Sequence, residues 1–251
     1  MYSIGIDSGS ATTKGVLYDG EKIIDKVIVP TGANPRRAME AIYDKLYREN
    51  AYTVTTGYGR ALLKVADKQV TEITCHGKGA AFLDNQISAI IDIGGQDSKV
   101  ILLDRDKNIK DFLMNDKCAA GTGRFLEVIM RLLQEDLCDF DDYVSGASGT
   151  KISSMCAVFA ESEVVSLLAQ DVSGPSVAMG IIESISQRTA NFAKKLPIDG
   201  KVFFSGGLAQ IESIRKTMEK ELGLEMTTHE DAQFAGAIGA AVIGYQHMSR
   251  K

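Results

Sequence analysis

The chain of 251 residues has no excess of basic residues: 28 Lys and Arg stand against 33 Asp and Glu, for a net charge of -5. No surplus of cations is therefore available to displace counterions from nucleic-acid phosphates or to hold an anionic membrane. The sequence also has no apolar run approaching the ~20 residues needed to cross a bilayer, and its start shows no basic stretch followed by an apolar segment. Neither nucleic acid nor a membrane is expected as a partner, and the cytoplasm is the expected location. Cysteine is scarce too. Four residues, Cys75, Cys118, Cys138 and Cys156, in a chain of this size and compartment do not make a disulfide framework; they are expected to be spare thiols, metal ligands or redox groups.

What remains is ordinary in composition, with 45% hydrophobic and 24% charged residues and a slight richness in glycine at 24. The length leaves one large domain or two smaller lobes open. Alternating, β-rich Tyr2–Ile6 runs into Asp7-Ser-Gly-Ser-Ala-Thr-Thr-Lys-Gly15 and then a strand at Val16–Tyr18. A third strand at Lys22–Val29 leads to a helix from Arg36 to about Glu49, with Met39, Ile42, Tyr43 and Leu46 at helical spacing. A short strand at Tyr52–Thr56, a helix after Gly59, an edge strand near Val70–Ile73 and a helix at Cys75–Leu83 are predicted next.

The opening pattern then returns. Apolar Ser88–Ile93 ends in Asp92-Ile-Gly-Gly-Gln-Asp-Ser-Lys99, followed by strands at Val100–Leu103 and Ile109–Met114. Each hairpin closes a strand with Asp-x-Gly and reaches a lysine, Lys14 or Lys99, at the start of the next, which suggests two copies of one supersecondary unit. Helices follow Cys118 and Cys156, and a long one spans Pro175–Leu196 with a stripe of Val177, Ile181, Ile185 and Phe192. Strand Val202–Phe204 meets Ser205-Gly-Gly-Leu-Ala209, and two helices, one ending at Leu222 and one at Phe234–Tyr245, complete the chain.

Glycine-bearing turns let backbone N–H groups close around phosphate oxygens; the hydroxyls of Ser8, Ser10, Thr12 and Thr13 add donors, and a strand-ending Asp can orient hydrated Mg²⁺. One such turn matches by chance, whereas two with the same Asp and Lys point to a triphosphate clamp. Neither hairpin fits G-x-x-x-x-G-K-[ST] or G-x-G-x-x-G. The turn at Ser205–Ala209 suits an adenosine lying against backbone. Small residues Gly236–Ala241 read as tight helix packing, and His76 and Cys75 as packing residues.

The order of two phosphate hairpins, an adenosine turn and small-residue helices resembles the duplicated ribonuclease-H-like fold of actin, Hsp70 and hexokinase, an α/β ATPase fold of two lobes with ATP in the cleft between them. The lobes implied are residues 1–87, joined by the terminal helix 234–251, and residues 88–233. Asn115-Asp-Lys-Cys118-Ala-Ala-Gly-Thr-Gly-Arg-Phe-Leu-Glu127 and Ser153-Ser-Met-Cys156-Ala-Val-Phe-Ala-Glu-Ser-Glu163, with Thr56-Gly-Tyr-Gly-Arg60, resemble the activators (component A, archerases) of 2-hydroxyacyl-CoA dehydratases in the BadF/BadG/BcrA/BcrD ATPase family.

That resemblance implies an ATP-driven one-electron activator. It places one [4Fe-4S] cluster across a homodimer, with Cys118 and Cys156 of each chain as ligands. A helix start after each Cys suits a thiolate and an anionic cluster. Two ligands per chain require a symmetric dimer. The implied partners are a dehydratase or benzoyl-CoA-reductase component and reduced ferredoxin or flavodoxin as donor. The implied ATP/ADP site comprises Ser8, Gly9, Ser10, Ala11, Thr12, Thr13 and Lys14 of the first hairpin, with Gly94, Gly95 and Gln96 of the second. Gly206, Gly207, Leu208 and Gln233 belong with the adenosine. Asp7 is expected to orient Mg²⁺; Gln96 and Asp92 both remain open as the group positioning the attacking water. The alternative is a small-molecule kinase, such as an amino-sugar kinase, on the same fold.

Overall fold

The computed structural model describes residues 1–116, 121–153 and 157–250, with no side-chain description for 157 and 158. Cys118 and Cys156 lie outside the described residues. Compact units form from Met1–Ile90, Ile101–Phe112 and His229–Lys251, and from Ile91–Val100 and Leu113–Thr228.

The first sheet contains β1 (Ser3–Ser8), β2 (Thr12–Tyr18), β3 (Ile23–Pro30), β4 (Tyr52–Gly57) and β5 (Lys68–Gln69), in the order β3-β2-β1-β4-β5. The second contains β6 (Ala89–Ile93), β7 (Ser98–Leu103), β8 (Ile109–Asn115), β9 (Val202–Gly206) and β10 (Met226–Thr227). Its order, β8-β7-β6-β9-β10, repeats the first when each set is counted along the chain. The duplicated ribonuclease-H-like α/β fold expected from the paired hairpins is therefore present.

Helix α1 (Pro35–Leu46) starts on Asn34, whose side chain accepts from the Arg37 N–H, and buries Met39, Ile42 and Leu46 against Ile4, Ile6 and Leu17 of the first sheet. Helix α2 (Glu72–Leu83) is capped by Thr71. It begins where an edge strand is predicted, because the strand pairing ends at Gln69 and the Thr71 hydroxyl accepts from the Thr74 N–H of the first helical turn. No helix follows Gly59: the N–H groups of Arg60 and Leu62 reach back three residues, to Gly57 and Gly59, which makes turns and not α-helix.

In the second unit α3 (Gly123–Leu132) follows the Cys118 segment, α4 (Phe140–Tyr143) is a single turn, and α5 (Ala157–Leu168) follows Cys156. The long α6 (Gly174–Ala193) has Pro175 in its first turn and packs against α3 and α7 (Glu212–Leu222). It buries Val177, Ile181 and Ile185. Among the described residues no helix is long and apolar enough to cross a membrane.

The last helix, α8 (Ala235–Met248), covers the other face of the first sheet, where Val16 and Tyr18 meet Ala237, Ile238, Ala241 and Val242. It lies so close that a Cβ on Gly5 of β1 would fall on the Ala237 carbonyl, and a Cβ on Gly239 would fall on the Cys75 carbonyl of α2. Backbone stands opposite in both cases and cannot swing aside. Gly239→Val is therefore expected to cost about 3 kcal/mol of stability, the upper part of the overpacking range, read as a lower urea midpoint with an unchanged slope.

Candidate functional site

The first hairpin is set by the β1–β2 register, which pairs Asp7 with Lys14 and Ser8 with Thr13 and leaves a short turn over Gly9, Ser10 and Ala11. The strands run further into the Gly-Ser-Thr segment than composition predicts, so the turn is tight. A Cβ on Gly9 would come within 2.9 Å of the Thr12 carbonyl, and the Lys14 ammonium lies 3.8 Å from that point. Lys14 is thus folded over the turn. Ser8 Oγ is buried without a hydrogen-bond partner in the protein. Thr13 is different: the Thr31 hydroxyl donates to the Gly9 carbonyl at 2.8 Å and so accepts from Thr13 at 2.9 Å, which commits the Thr13 hydrogen to bracing the turn. Ser10 and Ala11 are exposed and Thr12 is half-buried, so the outward face of the turn belongs to these three and Lys14.

Asp7 is 3% exposed and sits in a space kept open by glycine. A Cβ on Gly57, which has φ of 82°, would stand 2.5 Å from Asp7 Oδ1. One on Gly236 of α8 would stand 2.6 Å from Oδ2 and 2.8 Å from His76 Nε2. His76 Nε2 lies 3.8 Å from both Asp7 Oδ2 and Glu72 Oε1. His76 and Gly236 therefore belong to the surroundings of Asp7, which pattern reading assigned to packing alone. The sequence signal was the i,i+4 spacing of Glu72 and His76. Cys75 is buried with its thiol pushed up to about 12 by burial, against the pull of the Thr56 hydroxyl, and Cys138 is exposed.

The second hairpin repeats the first in topology and not in chemistry. Lys99 is 1% exposed and turned inward, 3.3 Å from Asp92 Oδ2 and 2.8 Å from Asp97 Oδ2. Ser205 donates to Asp92 Oδ1 at 2.7 Å. Both Asp92 oxygens are thus engaged, and a buried cation is held by two carboxylates. The turn closes through the Gly94 N–H to the Asp97 carbonyl at 2.9 Å, and Gln96 is exposed at its tip. The first N–H groups of α3, those of Gly123 and Arg124, donate to the carbonyls of Gly94 and Gly95 at 2.9 and 3.1 Å. Because each peptide is trans and planar, the N–H groups of Gly95 and Gln96 point the opposite way, away from α3.

The turn after β9 uses one glycine for shape: Gly206 has φ of 97°, and its Cβ would fall on the Ile93 carbonyl. Gly207 faces open space and is exposed, whereas Leu208 is 1% exposed and belongs to the core. Gln233 is half-buried in the 3-10 turn Ala232–Phe234.

A duplicated ribonuclease-H-like fold with such hairpins defines a nucleotide-binding ATPase class. Within it, residues 4–244 match the BadF/BadG/BcrA/BcrD ATPase family, and the chain belongs to that family. It is 49% identical to the uncharacterized protein YjiL of Escherichia coli, over 100% of this chain and 99% of that protein. It is 42% identical to the activator of lactoyl-CoA dehydratase of Anaerotignum propionicum, over 100% of both. The solved activator of the 2-hydroxyisocaproyl-CoA dehydratase from Clostridium difficile, with bound ADPNP, superposes with a TM-score of 0.93 at 38% identity, covering 100% of this chain and 96% of that one.

The two lysines should separate experimentally. Lys99→Met strands two carboxylates and is expected to destabilise the protein by about 3–5 kcal/mol. Lys14→Met is expected to change stability by less than about 0.5 kcal/mol. Thermal denaturation of the two variants side by side reads the difference.

Proposed function

We propose that this ATPase is an activator of a 2-hydroxyacyl-CoA dehydratase-type or benzoyl-CoA-reductase-type partner, which it supplies with one electron at the expense of ATP. The observation that carries the nucleotide part is the first hairpin: a turn too tight for any side chain at Gly9, an orphaned Ser8 hydroxyl, Lys14 over the turn and Asp7 in its cleared space. Ser8 to Lys14 hold phosphate, Asp7 orients hydrated Mg²⁺, and the outward N–H groups of Gly95 and Gln96 are further proposed phosphate donors. Gly206 and Gly207 let the adenosine approach backbone, and Gln233 belongs to the same site.

Gln96 is the better candidate than Asp92 for positioning the attacking water. Asp92 is 2% exposed and already holds Lys99 and Ser205, whereas Gln96 carries both a donor and an acceptor at the turn's exposed tip. Thr13 then acts on phosphate only through its backbone and through the bracing of Gly9.

Cys118 and Cys156 are the proposed ligands of a [4Fe-4S] cluster shared by a homodimer. When bound, that cluster supplies the one-electron chemistry. Ferredoxin or flavodoxin is the proposed donor. Two observations support this placement. Helix α5 begins directly after Cys156 and presents Phe159 at 69% exposure, a large apolar side chain suited to cover by a second chain. Helix α3, just beyond Cys118, is hydrogen-bonded to the turn of the second hairpin. A shift of that turn on nucleotide exchange would move the start of α3, provided that ATP and ADP bind its two positions with different affinity. The cytoplasm is the proposed location. A kinase reading leaves the two Cys segments without a use.

Cys118→Ser and Cys156→Ser are each expected to abolish iron binding and the EPR signal of the reduced protein after anaerobic purification, with ADP affinity retained. An iron-free dimer that phosphorylates a sugar would contradict the proposal. Gln96→Ala is expected to slow ATP hydrolysis by about 10²-fold, the loss that a misplaced reactant brings, with nucleotide affinity little changed. An unchanged rate would move the water elsewhere.

A further inference from the structure

The second unit contains a cavity of about 320 Å³ whose lining includes none of the hairpin residues Gly94, Gly95 and Gln96. Ser98, the first residue of β7, and Asn115, the last of β8, line it from the sheet. Arg188, Thr189, Phe192 and Lys195 line it from the C-terminal part of α6 and the residues beyond.

Two features of the lining point to a ligand. The first is charge: two cations contribute, together with hydroxyl and amide groups, and among the described residues no acid does. The second is an unmet hydrogen bond. Thr189 is 3% exposed, yet its Oγ1 has no hydrogen-bond partner. A mid-helix threonine ordinarily returns its hydroxyl to the carbonyl four residues back, so an unused buried hydroxyl in the wall of this cavity is costly unless something meets it. The negative end of α6 opposes an anion here, and Arg188 and Lys195 provide the compensating charge. Their side chains are anchored along the helix: Arg188 Nε donates to Ser184 Oγ at 3.3 Å, and the Lys195 ammonium lies 5.3 Å from the Phe192 ring centre.

We infer that this cavity is a binding site for a small oxyanion, a phosphate or a short carboxylate, separate from the nucleotide site. Arg188 and Lys195 supply charge and Thr189 supplies a hydrogen bond. Asn115 and Gly121, which also lines the cavity, bracket the segment that carries Cys118, so occupancy is placed to influence the chain on both sides of that segment.

The test is calorimetric titration of the full-length protein, saturated with ADP and Mg²⁺, with inorganic phosphate and separately with acetate. One saturable event per chain is expected from at least one of them, and which anion responds identifies the headgroup. Arg188→Gln and Thr189→Val are each expected to weaken it by at least about tenfold, the loss of one charge-assisted or buried hydrogen bond, while ADP affinity stays unchanged. Lys195→Gln, at an exposed position, gives the same reading should Arg188→Gln fail to fold. Absence of saturable binding by either anion would overturn the inference. So would binding that survives these substitutions, or binding seen only when ADP is left out, since the anion would then occupy the nucleotide site.

Discussion

The candidate site of the first unit depends on how closely α8 lies on β1. Ser3, Gly5 and Asp7 point to the same face of the strand, and Gly244, Ala241, Ala237 and Gly236 of α8 lie opposite them. Backbone meets backbone at Gly5, which fixes the helix height above the sheet. That height leaves Asp7 a space bounded by Gly236 on one side and Gly57 on the other, with His76 beside it. A methyl group at Gly5, Gly236 or Gly239 would lift the helix and with it the walls around the carboxylate. The small residues of α8 thus serve packing and site geometry through one contact.

The duplicated fold has given its two hairpins different tasks. In the first, Lys14 is half-buried over the turn. In the second, Lys99 is drawn under the sheet end and neutralised between Asp92 and Asp97, with Ser205 completing the shell of Asp92. The second hairpin is consequently a rigid support whose polar face is backbone N–H, tied by its carbonyls to the start of α3. In the proposed function it is the clamp that transmits position, and the first hairpin is the one that binds cation and phosphate.

The paired Asp-x-Gly hairpins were legible because a duplicated unit repeats its spacing, and the two sheets do share one strand order. The resemblance of the Cys118 and Cys156 segments to dehydratase activators likewise led to the right family. Pattern reading fails where the decisive contact is remote in sequence. The local difference is Asp97, which stands two residues before Lys99 where Thr12 precedes Lys14; the rest of the setting is remote, since the Ser205 that holds Asp92 lies 113 residues from it. His76 looked like a packing residue because Asp7 and Gly236 reach it only through the fold. The helix predicted after Gly59 is lost because Gly57 and Gly59 feed turn hydrogen bonds, and the Gly59 N–H itself donates to Ser8.

The proposed roles of the two strand-ending carboxylates are unequal, Asp7 for the metal and Asp92 for the structure. Mn²⁺ EPR in the presence of ADP measures this directly, comparing the wild type with Asp7→Asn and Asp92→Asn. The account predicts that Asp7→Asn loses nucleotide-dependent Mn²⁺ binding while Asp92→Asn, where folded, keeps it. Retention in Asp7→Asn together with loss in folded Asp92→Asn would contradict it.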